Sequence, residues 1–283
     1  MGLPMAKNLL SKGFVVRGAD LSRTALDGLV EAGGIRASSA AEATRGADVL
    51  VLMVVNASQA ESVLTEPGVL DGLAGSGIVC LMATCPSGAV EHLSQFVASA
   101  GKRFVDAPVS GGVAGAIAGS LTIMAATDTA SFNEIQPVLS ALGERVFHVG
   151  EKPGQGAMVK TVNQLLCGVH IAVMAEAFSL AAKAGIDLEL LLEIMRGSAA
   201  SSWMLHDRGP RMLQDTPQVT SAVDIFVKDL SIVLETGQDV RAALPIAAAA
   251  HQLFLATSGR GDGLADDSQV IRSYHVLNNI KTQ

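Results

Sequence analysis

Residues 1–20 read MGLPMAKNLLSKGFVVRGAD. Gly2-Leu3-Pro4-Met5-Ala6 forms the first turn of a helix, where Pro4 is tolerated because its missing N–H has no intrahelical partner. Lys7, Leu9 and Leu10 continue that helix, and Lys12-Gly13 ends it. FVVRGAD is a short apolar run stopping at Asp20, the pattern of a buried strand. A helix feeding a strand that ends in an acid is the second half of a dinucleotide-binding βαβ unit. The first strand and most of the glycine loop of such a unit lie ahead of this point. The expectation is therefore a start about 12 residues upstream, the length of one strand plus a loop.

Beyond residue 20 the pattern repeats. VLVLMVV (49–55), GIVCLMA (77–83), KRFVDA (102–107), SLTIMAA (120–126) and RVFHVG (145–150) are candidate strands, with helical stretches at 57–65, 86–99 and 128–142 between them. Continuous apolar strands separated by helices indicate a parallel sheet covered on both faces. GEKPGQG (150–156) is a cluster of chain breakers. After it, helices are expected at 157–185, 187–197, 200–213, 222–258 with a break near Pro245, and 267–280, beginning at Asp266 and Asp267. Positions 158, 162, 165, 166, 169 and 173 follow the spacing of a buried helix stripe. The expected fold is α/β: a Rossmann-type domain, its first strand missing, over residues 1–153, then an all-α domain over 154–283.

Composition narrows the function classes. Apolar residues make up 49% of the 283, which supports a large core. A net charge of −7 with no long basic run argues against nucleic acid as a partner. No uninterrupted apolar run approaches the roughly 20 residues of a membrane span, and no signal peptide is evident. Three cysteines without metal spacing indicate a reduced, cytoplasmic protein and no metal site.

Asp20 can bind the ribose hydroxyls of an adenosine, which favours NAD over NADP, or it can simply cap the next helix; Arg23 nearby could instead hold a 2′-phosphate. VLMVVNASQ and LMATCPSG place Asn56 and Thr84 just after strands, where open α/β sheets bind ligands; each is equally a candidate helix N-cap. In DAPVSGG, Gly111 and Gly112 expose backbone N–H groups that, with the Ser110 hydroxyl, can hold a carboxylate. In GQGAMVKTVNQ, Lys160 lies near a helix start, with Asn163 and Gln164 on its face at i+3 and i+4. A helix N-terminus disfavours a nearby cation by roughly 0.3–1 kcal/mol, and burial lowers a lysine pKa further, the direction that suits a general acid or base. The alternative is a solvated surface lysine. Lys228 in VDIFVKDL is a second cation able to steady an anionic substrate, or an ordinary surface lysine.

Together these stretches resemble the β-hydroxyacid dehydrogenases, the group of 3-hydroxyisobutyrate and tartronate semialdehyde enzymes, over essentially the whole chain. MGLPMAKNL is similar to the tail of the family's glycine motif, with Gly2 as its third glycine. The resemblance implies oxidation of a small hydroxy acid, with SSWML, SAVDIFVKDL and DDSQVI pointing to L-threonate and 2-oxo-tetronate as substrate and product. It implies Lys160 as the acid/base. It implies Ser110, Gly111, Gly112, Asn163, Gln164 and Lys228 as substrate binders. It implies Gly2, Asp20, Val54, Val55, Asn56, Thr84 and Lys228 around NAD. It also implies a long interdomain helix opening a substrate and dimerisation domain, and a homodimer or homotetramer. The alternatives are a 3-hydroxyisobutyrate or tartronate semialdehyde-type activity, or a truncated, catalytically weak cofactor-binding protein.

Overall fold

A computed structural model describes residues 1–280; residues 281–283, the end of the expected helical domain, lie outside the described residues. The chain divides into two compact units, Met1–Lys160 and Thr161–Gln283.

The first unit is α/β. Its strands are β1 (Arg17–Gly18), β2 (Ile35–Arg36), β3 (Val49–Leu52), β4 (Ile78–Leu81), β5 (Arg103–Asp106), β6 (Val109–Ser110), β7 (Thr122–Ala126) and β8 (Arg145–Gly150). They form two sheets. β1 pairs with β2, and a six-stranded sheet runs β3-β4-β5-β7-β6 with β8 also on β7. β1–β2 and β3–β4–β5 are parallel, whereas β7 is antiparallel to β5 and β6.

Strand periodicity explains why both faces of the larger sheet are covered. All four residues of β4 are buried, and they alternate: Ile78 and Cys80 pack into one apolar cluster with Met5, Val105, Ile123, Ile135 and Leu139, while Val79 and Leu81 pack into another with Val90, Leu93, Val97 and Phe104. β3 divides the same way, Val49 and Val51 toward the first cluster and Leu50 and Leu52 toward the second. β2 and β6 were not expected; each is two residues long, too short to carry a pattern. β1 is likewise far shorter than the run at residues 14–20.

The second unit is helical. The long helix Gln155–Lys183 begins in the first unit and continues into the second, followed by Leu188–Arg196, Trp203–Met212, Val223–Asp239, Pro245–Thr257 and Ile271–Leu277. The expected run 222–258 breaks because Pro245 takes the first position of a new helix, where its missing N–H is harmless, and Arg241 bends the chain at φ +57°. The expected last helix starts later, because Asp266 caps a short 3-10 turn, Asp267–Val270, ahead of it.

Two expectations about the long helix need correction. By length and composition it could cross a membrane, yet nearly half of that window is buried within this chain, with Ile171, Ala172, Met174, Ala175 and Phe178 in the second unit's core. The stripe expected to be buried is so only in part: Met158, Leu165 and Val169 are partly buried, the last two against the second unit's core, but Val162, Leu166 and Val173 are exposed, and the fully buried face runs through Thr161, Gln164, Ile171, Ala175 and Phe178. The helix is apolar on both sides, so its spacing alone did not identify the core face.

The second unit also encloses charge. Arg208 reaches Asp267 with two bonds, Nε to Oδ1 at 3.0 Å and Nη2 to Oδ2 at 2.8 Å, and both side chains are almost fully buried. Its guanidinium lies 6.0 Å from the ring centre of Trp203, the one tryptophan in the sequence. Arg208 also donates to the partly exposed Asp207, so losing Asp267 leaves it one partner, whereas losing Arg208 takes both bonds from the buried Asp267. Arg208→Met is expected to lower unfolding free energy by about 3–5 kcal/mol, and Arg208→Met with Asp267→Leu to recover most of it. Urea denaturation followed by Trp203 fluorescence checks this; a loss under 1 kcal/mol in the single variant would contradict it.

Candidate active site

The candidate cofactor residues follow the carboxyl ends of parallel strands. Asp20, beyond β1, is exposed and accepts the Ser22 N–H at 2.7 Å. Val54 and Val55 follow β3, Val55 exposed and Val54 packed against the second cluster. Asn56 caps the helix Ala57–Leu64, its side chain accepting the Gln59 N–H at 2.9 Å, while Gln59 Oε1 accepts the Val55 N–H at 2.9 Å. This is a reciprocal cap that fixes the turn after β3. Thr84 is half-buried beyond β4. Gly2 is exposed at the start of the helix Gly2–Ser11, which has no side-chain cap on its first N–H groups.

The Ser110-Gly111-Gly112 turn leaves the sheet edge at β6, where Ser110 pairs with Thr122 of β7. Gly111 and Gly112 have φ +124° and +61°, values that a side chain disfavours, and the helix Gly112–Ala118 starts directly after them. Ser110 is half-buried.

Asp106, the last residue of β5 and the first of DAPVSGG, was not singled out from the sequence. It is 1% exposed. Its Oδ2 accepts the N–H groups of Gly154 and Ala157, both at 2.9 Å, and the Gly156 N–H also favours its charged form. Burial nevertheless outweighs these donors and pushes the carboxyl up to about 6. The thiol of Cys80 on neighbouring β4 is raised in turn, by burial first and by the Asp106 charge second.

The glycines of GQG have physical reasons. Gly154 adopts φ +97° at the entry to the long helix. At Gly156 a Cβ would lie 2.5 Å from the Met124 carbonyl oxygen and 2.8 Å from that of Asp106, so the helix sits directly on the end of β5 and the middle of β7. Lys160 follows one turn later and is 6% exposed, which excludes the solvated surface lysine. A buried amine in the second turn of a helix can give and take a proton at a bound substrate.

In the second unit, Asn163 Nδ2 donates to Gln164 Oε1 at 2.9 Å, Gln164 Nε2 donates to Asp229 Oδ2, and Lys228 Nζ donates to Asp229 Oδ1 at 2.6 Å. The structure thus links Asn163, Gln164 and Lys228 through Asp229, which is 2% exposed. Its signal in the sequence was only its place beside Lys228. Among the described residues, no group of three or more His, Cys, Asp or Glu is arranged to hold a metal ion.

Residues 1–150 match the family model described as the NAD binding domain of 6-phosphogluconate dehydrogenase, and residues 154–274 match that of the NAD-binding region of NADP-dependent 3-hydroxyisobutyrate dehydrogenase. The chain is 40% identical over 275 residues to an L-threonate dehydrogenase of Cupriavidus necator, covering 97% of this chain and 93% of that one. It is 35% identical to a 3-hydroxyisobutyrate dehydrogenase of Pseudomonas aeruginosa, covering 90% and 88%. A crystal structure of 3-hydroxyisobutyrate dehydrogenase from Salmonella typhimurium superposes with a TM-score of 0.92 at 38% identity, covering 96% and 95%. The chain belongs to the β-hydroxyacid dehydrogenase family and is an NAD(P)-dependent oxidoreductase acting on a hydroxy acid.

Proposed function

We propose that this enzyme oxidises L-threonate to 2-oxo-tetronate with NAD. The observation carrying the choice of substrate is the 40% identity, at nearly full length, to an L-threonate dehydrogenase. Residues 1–153 serve as the dinucleotide-binding domain, and 154–283 as the substrate and dimerisation domain.

The residues fit the cofactor. The uncapped N–H groups at Gly2 suit a phosphate, the exposed Asp20 suits ribose hydroxyls, and Val54, Val55, Asn56 and Thr84 follow the strand ends where such ligands lie. Lys228 completes this set. NAD, when bound, supplies the hydride acceptor. Ser110, Gly111 and Gly112 hold the substrate carboxylate with a hydroxyl and backbone N–H groups. Lys160 takes the hydroxyl proton at Nζ as the carbinol carbon is oxidised. Asn163 and Lys228 hold the remaining substrate oxygens, and Gln164, with its amide on Asp229, keeps Asn163 in place.

The exposed apolar residues of the long helix support a homodimer or homotetramer. Val162, Leu166, Val173 and Leu180 recur at four- and seven-residue intervals, each half or more exposed in the single chain. The three free cysteines support a reduced, cytoplasmic setting. The partners are the hydroxy acid and further copies of the chain, with neither nucleic acid nor membrane.

Purified protein is expected to form NADH from L-threonate and to do so far more slowly with NADP; turnover of 3-hydroxyisobutyrate alone would replace the substrate. Lys160→Ala is expected to lower kcat about 10²–10⁴-fold. Unchanged turnover in that variant would remove Lys160 from the chemistry. Light scattering of the wild type at 20 µM (roughly, a working concentration for a moderate-affinity dimer) should give a dimer or larger, and Leu166→Glu with Val173→Glu a smaller species. A monomeric wild type would contradict the assembly.

A further inference from the structure

We propose that Asp106 is the positioning residue for Lys160: from the end of β5 its carboxylate fixes the start of the long helix and so sets where the Lys160 amine stands. The inference rests on the reading of Lys160 as the acid/base.

A helix leaves its first N–H groups without intrahelical partners, and a side chain at the helix start ordinarily accepts one of them. Here Gly154 brings no side chain, and the acceptor comes from a strand 48 residues earlier. One oxygen, Asp106 Oδ2, takes the N–H groups of both Gly154 and Ala157 at 2.9 Å. Two donors on successive parts of the first turn, bound to one atom, restrict the helix in translation and in rotation. A second tie acts on the entry, where Ser87 Oγ donates to the Gly154 carbonyl oxygen at 3.0 Å.

The seat leaves no slack. A Cβ at Gly156 would lie 3.0 Å from Asp106 Oδ2 as well as within 2.8 Å of backbone oxygens, so the helix rests on β5 and β7 through bare backbone. Lys160 is four residues past Gly156 and three past Ala157, one turn along the same helix face. A single turn cannot damp a shift at its base. Displacing a reacting group by about 1 Å is enough to lower a rate about 10²-fold. The charge adds directionality: a carboxylate at a helix N-terminus aligns with the macrodipole and makes stronger bonds than a neutral acceptor would. These bonds offset part of the burial that raises its pKa.

The test compares Asp106→Asn, which keeps one neutral acceptor oxygen, with the near-isosteric Asp106→Leu, which keeps none. Each is made alone and with Lys160→Ala, in the full chain. NAD reduction is measured with L-threonate, or with 3-hydroxyisobutyrate if L-threonate is not turned over. The expected result is a kcat loss of about 5-fold in Asp106→Asn and about 10²-fold in Asp106→Leu. The KM and the NAD dissociation constant should stay within about threefold, a split that general loosening of the fold would not give. In the Lys160→Ala background, neither substitution should lower kcat further by more than about twofold, because residues acting as a unit are not additive. Should Asp106→Leu not fold, Asp106→Asn carries the comparison. Losses that multiply with Lys160→Ala would overturn the positioning role while leaving Lys160 as the acid/base. Weakened NAD binding, or an unchanged kcat in the Asp106 variants, would overturn it equally. Full turnover in Lys160→Ala alone would instead remove the acid/base reading and the positioning role with it.

Discussion

Asp106 holds the structure's most consequential contact. A carboxylate that is 1% exposed gives up the hydration of a charge, which no packing gain repays by itself. It stays in the interior because the N–H groups of Gly154 and Ala157 converge on one oxygen. Those same N–H groups would be orphans at the start of any helix. Each side thus satisfies the other, and losing either would strand a buried polar group at about 1–3 kcal/mol. The glycines on the helix side allow the approach. Gly156 meets carbonyl oxygens at the end of β5 and in the middle of β7, where any side chain would hold the helix away.

The rest of the first unit presents its candidate site residues through its strand ends. Parallel strands all end on one edge, and that edge carries Asn56 after β3, Thr84 after β4 and Asp106 at the end of β5. The Ser110-Gly111-Gly112 turn follows four residues after Asp106, so that turn and the helix anchor belong to one short stretch of chain. In the second unit, a buried carboxylate again organises neighbours of opposite character. Asp229 accepts from Lys228 on one oxygen and from Gln164 on the other, and Gln164 in turn accepts from Asn163. Two aspartates, each nearly inaccessible, hold groups that would otherwise be mobile.

What the sequence made legible follows from the range over which each signal acts. Buried strands such as Val49–Leu52 and Ile78–Leu81 stood out because two covered faces make a continuous apolar run. The break at Pro245 was local and visible. The cap at Asn56 was legible as one of two uses for a small polar residue after a strand, and the structure shows it capping. Asp106 was passed over inside a motif quoted for its serine and glycines, because its partners lie 48 and 51 residues away. Gln164 and the Lys228-Asp229 pair were visible, but the bond between Gln164 and Asp229 spans 65 residues and was equally silent. The long helix misled for a different reason. Apolar residues occupy both of its sides, and spacing cannot distinguish a face buried in the chain from one left exposed on it, as Val162 and Leu166 show.

The contact at Asp106 is directly observable. Amide NMR of the labelled full chain, titrated from about pH 4 to 8 to span the usual carboxylate range and the raised value, follows the Gly154 and Ala157 N–H signals. Cys80 stays protonated throughout, because burial and the Asp106 charge hold its thiol up. Both amides should move together with a midpoint near pH 6, shifting downfield as the carboxyl ionises, and the movement should vanish in Asp106→Asn. Signals that do not titrate together, or that titrate unchanged in the variant, would contradict a helix anchored on that carboxylate.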